Sequence, residues 1–415
     1  MKELTSWLGH LEPTRFPYDA VVREFRCVGK HFVCKELLAM LARAREAVEH
    51  LPDPYHGSAL LHRFLQTALD KWDGRYDYPT YTGLALLPMP SVDDPPEQLP
   101  YALPRRDRLV VQLIADLLSF ELATADGGSE LMPEMRPDPR ITIKRYRLAR
   151  RVAAPALRRL GLAGAVTATD PEQAARELCA AVQPEMSALD RRILQLSMLP
   201  VYVAHDEYMF IRVLQLFEIT FALLAVELRG AVYALAAHED CTTAIRCVDV
   251  AATLMRESAP LFSLAATMQV EAFQTFREFT DGASAIQSRN YKILESLCRT
   301  PDADRLASAA FLSVPEVRDR VLAGNFTLEE AFQGACDSGY LTGAEREQLT
   351  TAMGRFAGTL RRWRQTHYSI AMRMLGDQKQ GTGATEGTGY LKAVREIPVF
   401  RSVEHTEGDV DLESA

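Results

Sequence analysis

From His205 into the 370s, apolar residues recur at helical spacing with few interruptions. The pattern predicts one long helix from about Asp206 to His238 and a second from about Thr242 to Met268, kinked or split at Pro260. A third covers Ser284 to Cys298, a pair of short helices fills 303 to 338, and another long helix runs from about Thr342 to Leu375. In that last helix Trp363, His367, Ile370, Ala371 and Met374 fall on one face, so an imidazole sits in the middle of an apolar stripe. Gly376 stops the helix, and 381 to 389 then holds four glycines and three threonines. Such a segment suits either a grip on a small polar ligand or a mobile surface loop.

The first half is helical too, but more broken. Residues 1 to 70 read as a helical extension with a break at Leu51-Pro52-Asp53-Pro54. Residues 71 to 90 form a tyrosine-rich segment in which Pro79, Pro88 and Pro90 forbid regular helix; Tyr76, Tyr78 and Tyr81 there read as a surface loop or as a binding-site lip. The stretch 91 to 104 is acidic and proline-rich and reads as a connection. An apolar helix follows at about Leu109 to Ala123. The basic segment from Arg136 to Gly161 reads as a solvated helix face. With no alternating strand run and no repeat of 20 to 50 residues, the expected fold is all-α.

Composition narrows the class. An apolar fraction of 47% and a charged fraction of 25% are ordinary for a globular protein, and a net charge of -8 argues against nucleic acid as a partner. The N-terminus lacks a signal-peptide core, and the most apolar stretch, Phe210 to Ala237, is interrupted by Arg212, Glu218, Glu227 and Arg229, so no membrane span is expected. Seven scattered cysteines without a CxxC pair fit reduced thiols and a cytoplasmic protein.

Common catalytic signatures are missing: no GxSxG, no Walker A sequence, no HExxH, and no CxxCH for covalent haem attachment. His31 with Cys34 and His238 with Cys241 have HxxC spacing, but neither has a second ligand pair nearby. Two readings of His367 stay open on spacing alone. It is either a core histidine bonded to a carbonyl or a ligand to a metal or haem iron.

Three pieces stand out together: His205-Asp206-Glu207 opening a helix through Phe210, Phe276-Arg277 followed by Asp281 to Arg289, and Trp363-Arg364 with His367 leading to the GTGATEGTG loop. In order and approximate spacing they resemble the tryptophan 2,3-dioxygenase family over about Tyr78 to Leu391, with an insertion at 91 to 204. The resemblance implies a helical bundle enclosing a b-type haem in a core of residues 205 to 400, with 401 to 415 as a disordered tail. It puts the proximal iron ligand on His367, with Trp363 and Ser284 against the haem. Arg277 takes the arginine that clamps the substrate carboxylate, and Thr382 the loop threonine on the substrate's ammonium and carboxylate. Phe210 and Phe276 match pocket walls, and Tyr78 and Tyr81 a segment that reaches into a neighbouring subunit. It further implies an aromatic amino acid and O2 as substrates and a homo-oligomer, tetramer or dimer.

Two departures qualify that picture. The family's distal histidine falls on Leu214 and its pocket tyrosine on Phe273. An indole N–H would then lose a partner, costing about 1 to 3 kcal/mol in a buried pocket. Three functions follow as expectations: oxygen insertion at the indole C2–C3 bond of tryptophan or a substituted tryptophan, mono-oxygenation of an aromatic amino acid to a hydroxylated product or oxindole, or haem and amino-acid binding without turnover.

Overall fold

A computed structural model describes residues 2–49, 56–237, 241–376 and 387–403; the Leu51–Pro54 break, His238, Thr382 and the tail beyond 403 lie outside them. Every regular element among the described residues is helical, and extended backbone pairs only at an isolated bridge between Glu134 and Ala204. The fold is all-α, as the periodicity requires.

The helix His205–Ala236 is the axis of the molecule. Its apolar residues lie on every side, a pattern stable in water only for a helix wrapped by others. It is long and apolar enough to cross a membrane, yet 89% of its most apolar window is buried inside the protein. Cys241–Glu257, Ala102–Ala125, Arg289–Cys298 and Leu328–Asp337 all pack against it.

No side chain at Ala204 caps this helix; the HDE triplet does the work from inside. Glu207 accepts the Val201 and Tyr202 N–H groups at 2.7 and 3.0 Å, bracing the preceding turn. Asp206 accepts the Gln269 N–H at 2.7 Å and a guanidinium N–H of Arg145. Arg145 also donates to Glu121 at 2.8 Å, and His205 Nε2 lies 3.2 Å from the same carboxylate. The basic segment is therefore not simply a solvated face. Lys144, Arg147 and Arg151 are exposed on Pro139–Arg159, but Arg145 is buried and locks residues 102–159 onto the central helix. Replacing Arg145 with methionine strands two buried carboxylates, so a loss of about 3 to 5 kcal/mol is expected in chemical denaturation. A loss below about 1 kcal/mol would mean that the ion pair does not hold these elements together.

The first helices build a second core around Trp7, Phe16, Phe25, Leu41, Phe64 and Leu65, continued by Leu196 and Leu199. Its junction is close backbone contact. Lys30 N–H donates to Pro200 O at 2.7 Å, and Gly29, at φ +83°, sits where a Cβ would come within 2.7 Å of Val201 O.

Several element limits differ from the periodicity. Pro260 splits its segment into Cys241–Glu257 and Ala259–Ala265. Ser284 opens only a three-residue turn, and the regular helix starts at Arg289, capped by Ser288. The pair of short helices at 303 to 338 is four, because Ser308, Pro315 and a Thr327–Glu330 capping box each begin a new one. The helix Gly343–Leu375 ends where expected and begins on a capping box between Thr342 and Glu345.

Candidate functional site

One cavity of about 260 Å³ gathers most of the residues singled out from the sequence. Phe210 and Leu214 come from the central helix, Phe273, Phe276 and Arg277 from Val270–Arg277, and Trp363 and His367 from the long last helix. Tyr78, Tyr81 and Ser284 complete the set, and Thr382 lies outside the described residues.

The tyrosines arrive by specific backbone contacts. Asp77 caps the short helix Tyr78–Tyr81 by accepting Thr80 N–H, and the side-chain carbonyl of Gln287 accepts both Tyr78 N–H at 2.8 Å and Ser284 N–H at 3.2 Å. Gly282 allows the two segments to touch, since a Cβ there would meet Tyr76 O at 2.8 Å. Tyr78 and Tyr81 are buried and line this cavity. Tyr76, outside the cavity wall, stays partly exposed under the Lys71 ammonium. Gly282→Val should force the two segments apart, costing about 1 to 3 kcal/mol of stability and loosening ligand binding. Unchanged thermal stability and ligand affinity in that variant would show the contact to be dispensable.

His367 sits half-buried on the cavity wall, with Trp363 at 5.1 Å and Phe262 at 6.1 Å between ring centroids. Among the described residues it has no hydrogen-bond partner, so the carbonyl-bound core histidine finds no support. Desolvation pushes its pKa down to about 4, leaving a neutral imidazole at pH 7. The sign can be followed in the apo protein. The unfolded chain binds more protons than the folded one between about pH 4 and 6.5, so this group's contribution to stability is present above 6.5 and is lost as pH falls toward 4. The melting temperature of His367→Phe should therefore fall less steeply than wild type across that window; parallel curves would contradict the burial argument.

Trp363 is boxed by Phe217, Phe221, Phe262 and Tyr291, with its indole Nε1–H buried and without a hydrogen-bond partner among the described residues. A neutral, unpartnered imidazole above an apolar aromatic wall fits a flat iron porphyrin: the nitrogen can ligate iron and the rings can cover the macrocycle. Phe210, Phe273 and Phe276 form a second aromatic trio with centroids 5.4 to 5.7 Å apart. Arg277 lies half-buried beside them, and desolvation lowers its pKa.

Comparison with known proteins addresses the same chain from outside. No family model matches it. The tryptophan 2,3-dioxygenase of Ruegeria pomeroyi is 26% identical over 239 residues, half of this chain and 86% of that protein. Those of Polaromonas naphthalenivorans and Anaeromyxobacter dehalogenans are 26% and 25% identical, with 83% and 84% of their lengths covered. The chain is a divergent relative of the tryptophan 2,3-dioxygenases.

Leu214 and Phe273, the two positions at which the sequence resemblance implies departures from polar residues, both face the cavity. His205 does not approach it. Its ring stacks on Phe120 at 4.7 Å and serves the Glu121 cluster, which makes the HDE triplet a structural cap in this relative of the dioxygenases. His31 likewise packs on Phe279 and Phe32, with Cys34 exposed. Polar lining residues to which the sequence reading gave no role in the site include Glu218, Lys292, Arg364 and Tyr390. The one available signal was a glutamate and a lysine interrupting otherwise apolar helix faces.

Proposed function

We propose that this protein is a haem-dependent oxygenase of L-tryptophan or a substituted tryptophan, adding two oxygen atoms across the indole C2–C3 bond. The observation that carries the reading is the neutral His367, without a hydrogen-bond partner among the described residues, on the wall of the same apolar cavity as Arg277, in a relative of proteins named tryptophan 2,3-dioxygenase.

Haem iron, when bound, supplies the activation of dioxygen that no side chain in the cavity can provide. His367 would hold that iron, and Trp363 with Phe262 would cover the macrocycle. Arg277, a planar donor in a desolvated position, would clamp the amino acid's carboxylate, and Thr382 would hold its polar head. Phe210, Phe273 and Phe276 exclude water and orient the indole. A homo-oligomer and a cytoplasmic location complete the proposal.

A second reading, insertion of one oxygen atom of O2 with the other reduced to water by an external two-electron donor, is favoured by Leu214 and Phe273, apolar side chains on the cavity wall. Labelled dioxygen separates the two. A product heavier than tryptophan by two labelled atoms supports dioxygenation; one labelled atom on an intact indole skeleton supports the second reading and overturns the first.

The apolar distal wall makes a separate prediction. Wild type should bind tryptophan and 1-methyltryptophan within about threefold of each other, and Leu214→His should acquire a preference of roughly tenfold for tryptophan by supplying a hydrogen-bond partner. Competition binding measures both. Strong discrimination in wild type would place a polar group at the ring nitrogen after all.

A further inference from the structure

At one end of the cavity the apolar lining gives way to buried charge. Lys292 is 1% exposed and Arg364 5% exposed, and both line the cavity. Their partners are neutral. Lys292 Nζ donates to Ile286 O at 2.9 Å, and Arg364 donates to Tyr291 Oη at 2.8 Å and Ile397 O at 2.6 Å. Among the described residues neither makes an ion pair.

Two carboxyl groups lie near, Glu295 acting on both cations through its charge and Glu218 on Lys292, but neither makes a close ion pair with them. Glu295 is held bidentate by Arg305 at 2.7 and 2.8 Å, and Arg305 reaches on to Tyr390 Oη at 3.0 Å. Glu218 accepts Asn290 Nδ2–H through Oε2 at 3.0 Å. Burial raises the pKa of Glu218, which weakens it as an anion, and pushes Lys292 down to about 8. Cations are costly to bury, and Lys292 and Arg364 share the one ionised carboxylate of Glu295 with Arg305, so this side of an open cavity is short of negative charge. Lys292 retains two N–H donors beyond its single carbonyl bond, enough for a carboxylate.

We propose that Lys292, supported by Arg364, is a receptor for the carboxylates on the edge of the porphyrin, fixing which way the macrocycle enters the cavity. This rests on the haem reading given above. It assigns the substrate's carboxylate to Arg277 and the cofactor's carboxylates to a different pair of cations on the same cavity wall. The orientation of the macrocycle would then be set by charge at this end and by the His367 imidazole at its face.

The test is a Soret titration of the full-length apo protein with hemin and with hemin dimethyl ester, which keeps the ring and iron and removes the charges. Wild type should bind the diacid about tenfold or more tightly than the diester. Lys292→Met should lose most of that preference by weakening the diacid alone, and Lys292→Arg should restore it. Equal affinity of wild type for the two porphyrins overturns the proposal without needing any variant to fold, as does a Lys292→Met protein that keeps the full preference. If Lys292→Met instead weakens L-tryptophan relative to tryptamine and leaves the porphyrin preference intact, the subsite holds the substrate's carboxylate and the assignment is wrong. Binding of neither porphyrin would overturn the haem reading itself, a failure distinct from equal binding of both.

Discussion

Replacing His367 with alanine should leave the helices folded and remove stable haem binding. The side chain forms no hydrogen bond with any described residue, and its wall neighbours Trp363 and Phe262 stay packed on Phe217 and on each other. Its loss therefore removes a ligand without opening the core. Hemin affinity should fall by at least about 100-fold, near 2.7 kcal/mol, with an unchanged helical signal in circular dichroism. Added imidazole, small enough for the vacated space, should restore a ligated iron spectrum in the variant. Wild-type affinity in His367→Ala would show that another group binds the iron.

Arg277→Ala should act on the other ligand. A guanidinium clamping a carboxylate in a desolvated pocket is worth about 2 to 5 kcal/mol when truncated, so KM or Kd for L-tryptophan should rise roughly 30-fold or more. Tryptamine, which has no carboxylate, should bind wild type and variant alike, and the haem spectrum without substrate should not move. Arg277→Lys keeps the charge and loses the fork, and should recover only part of the affinity. A variant that loses haem and substrate together would mean that Arg277 holds the fold of the pocket rather than the amino acid.

Much of this site could be read before any coordinates. The i, i+4, i+7, i+8, i+11 stripe around His367 reports a helix face directly, and Thr342 with Glu345 and Gly376 mark its ends through capping chemistry that is local in sequence. Arg277, Phe210, Phe273 and Phe276 share the cavity because they lie on short helical faces whose spacing is equally visible. What stayed hidden depends on distant partners. Arg145 looks like one of several basic residues on an exposed face until Glu121 and Asp206 arrive from 24 and 61 residues away. Lys292 and Glu218 read as polar interruptions, and only packing shows that both are buried at one end of the pocket. The ambiguity over His367 was of the same kind. A periodic stripe states which face an imidazole occupies, but whether a carbonyl waits opposite it depends on the neighbouring helices.

The tyrosine segment shows the limit from another side. Pro79 excludes an extended regular helix but not the single turn Tyr78–Tyr81, where proline stands at a position whose N–H needs no partner. The contact that places this turn, Gln287 accepting from Tyr78, spans 209 residues.

The most direct measurement is the absorption spectrum of the apo protein reconstituted with hemin, then reduced under argon and titrated with L-tryptophan. The expected result is a Soret band that shifts on reduction and shifts again, saturably, as the amino acid fills the space beside the porphyrin. No stoichiometric Soret band, or a band indifferent to every aromatic amino acid, would contradict a shared haem and substrate cavity.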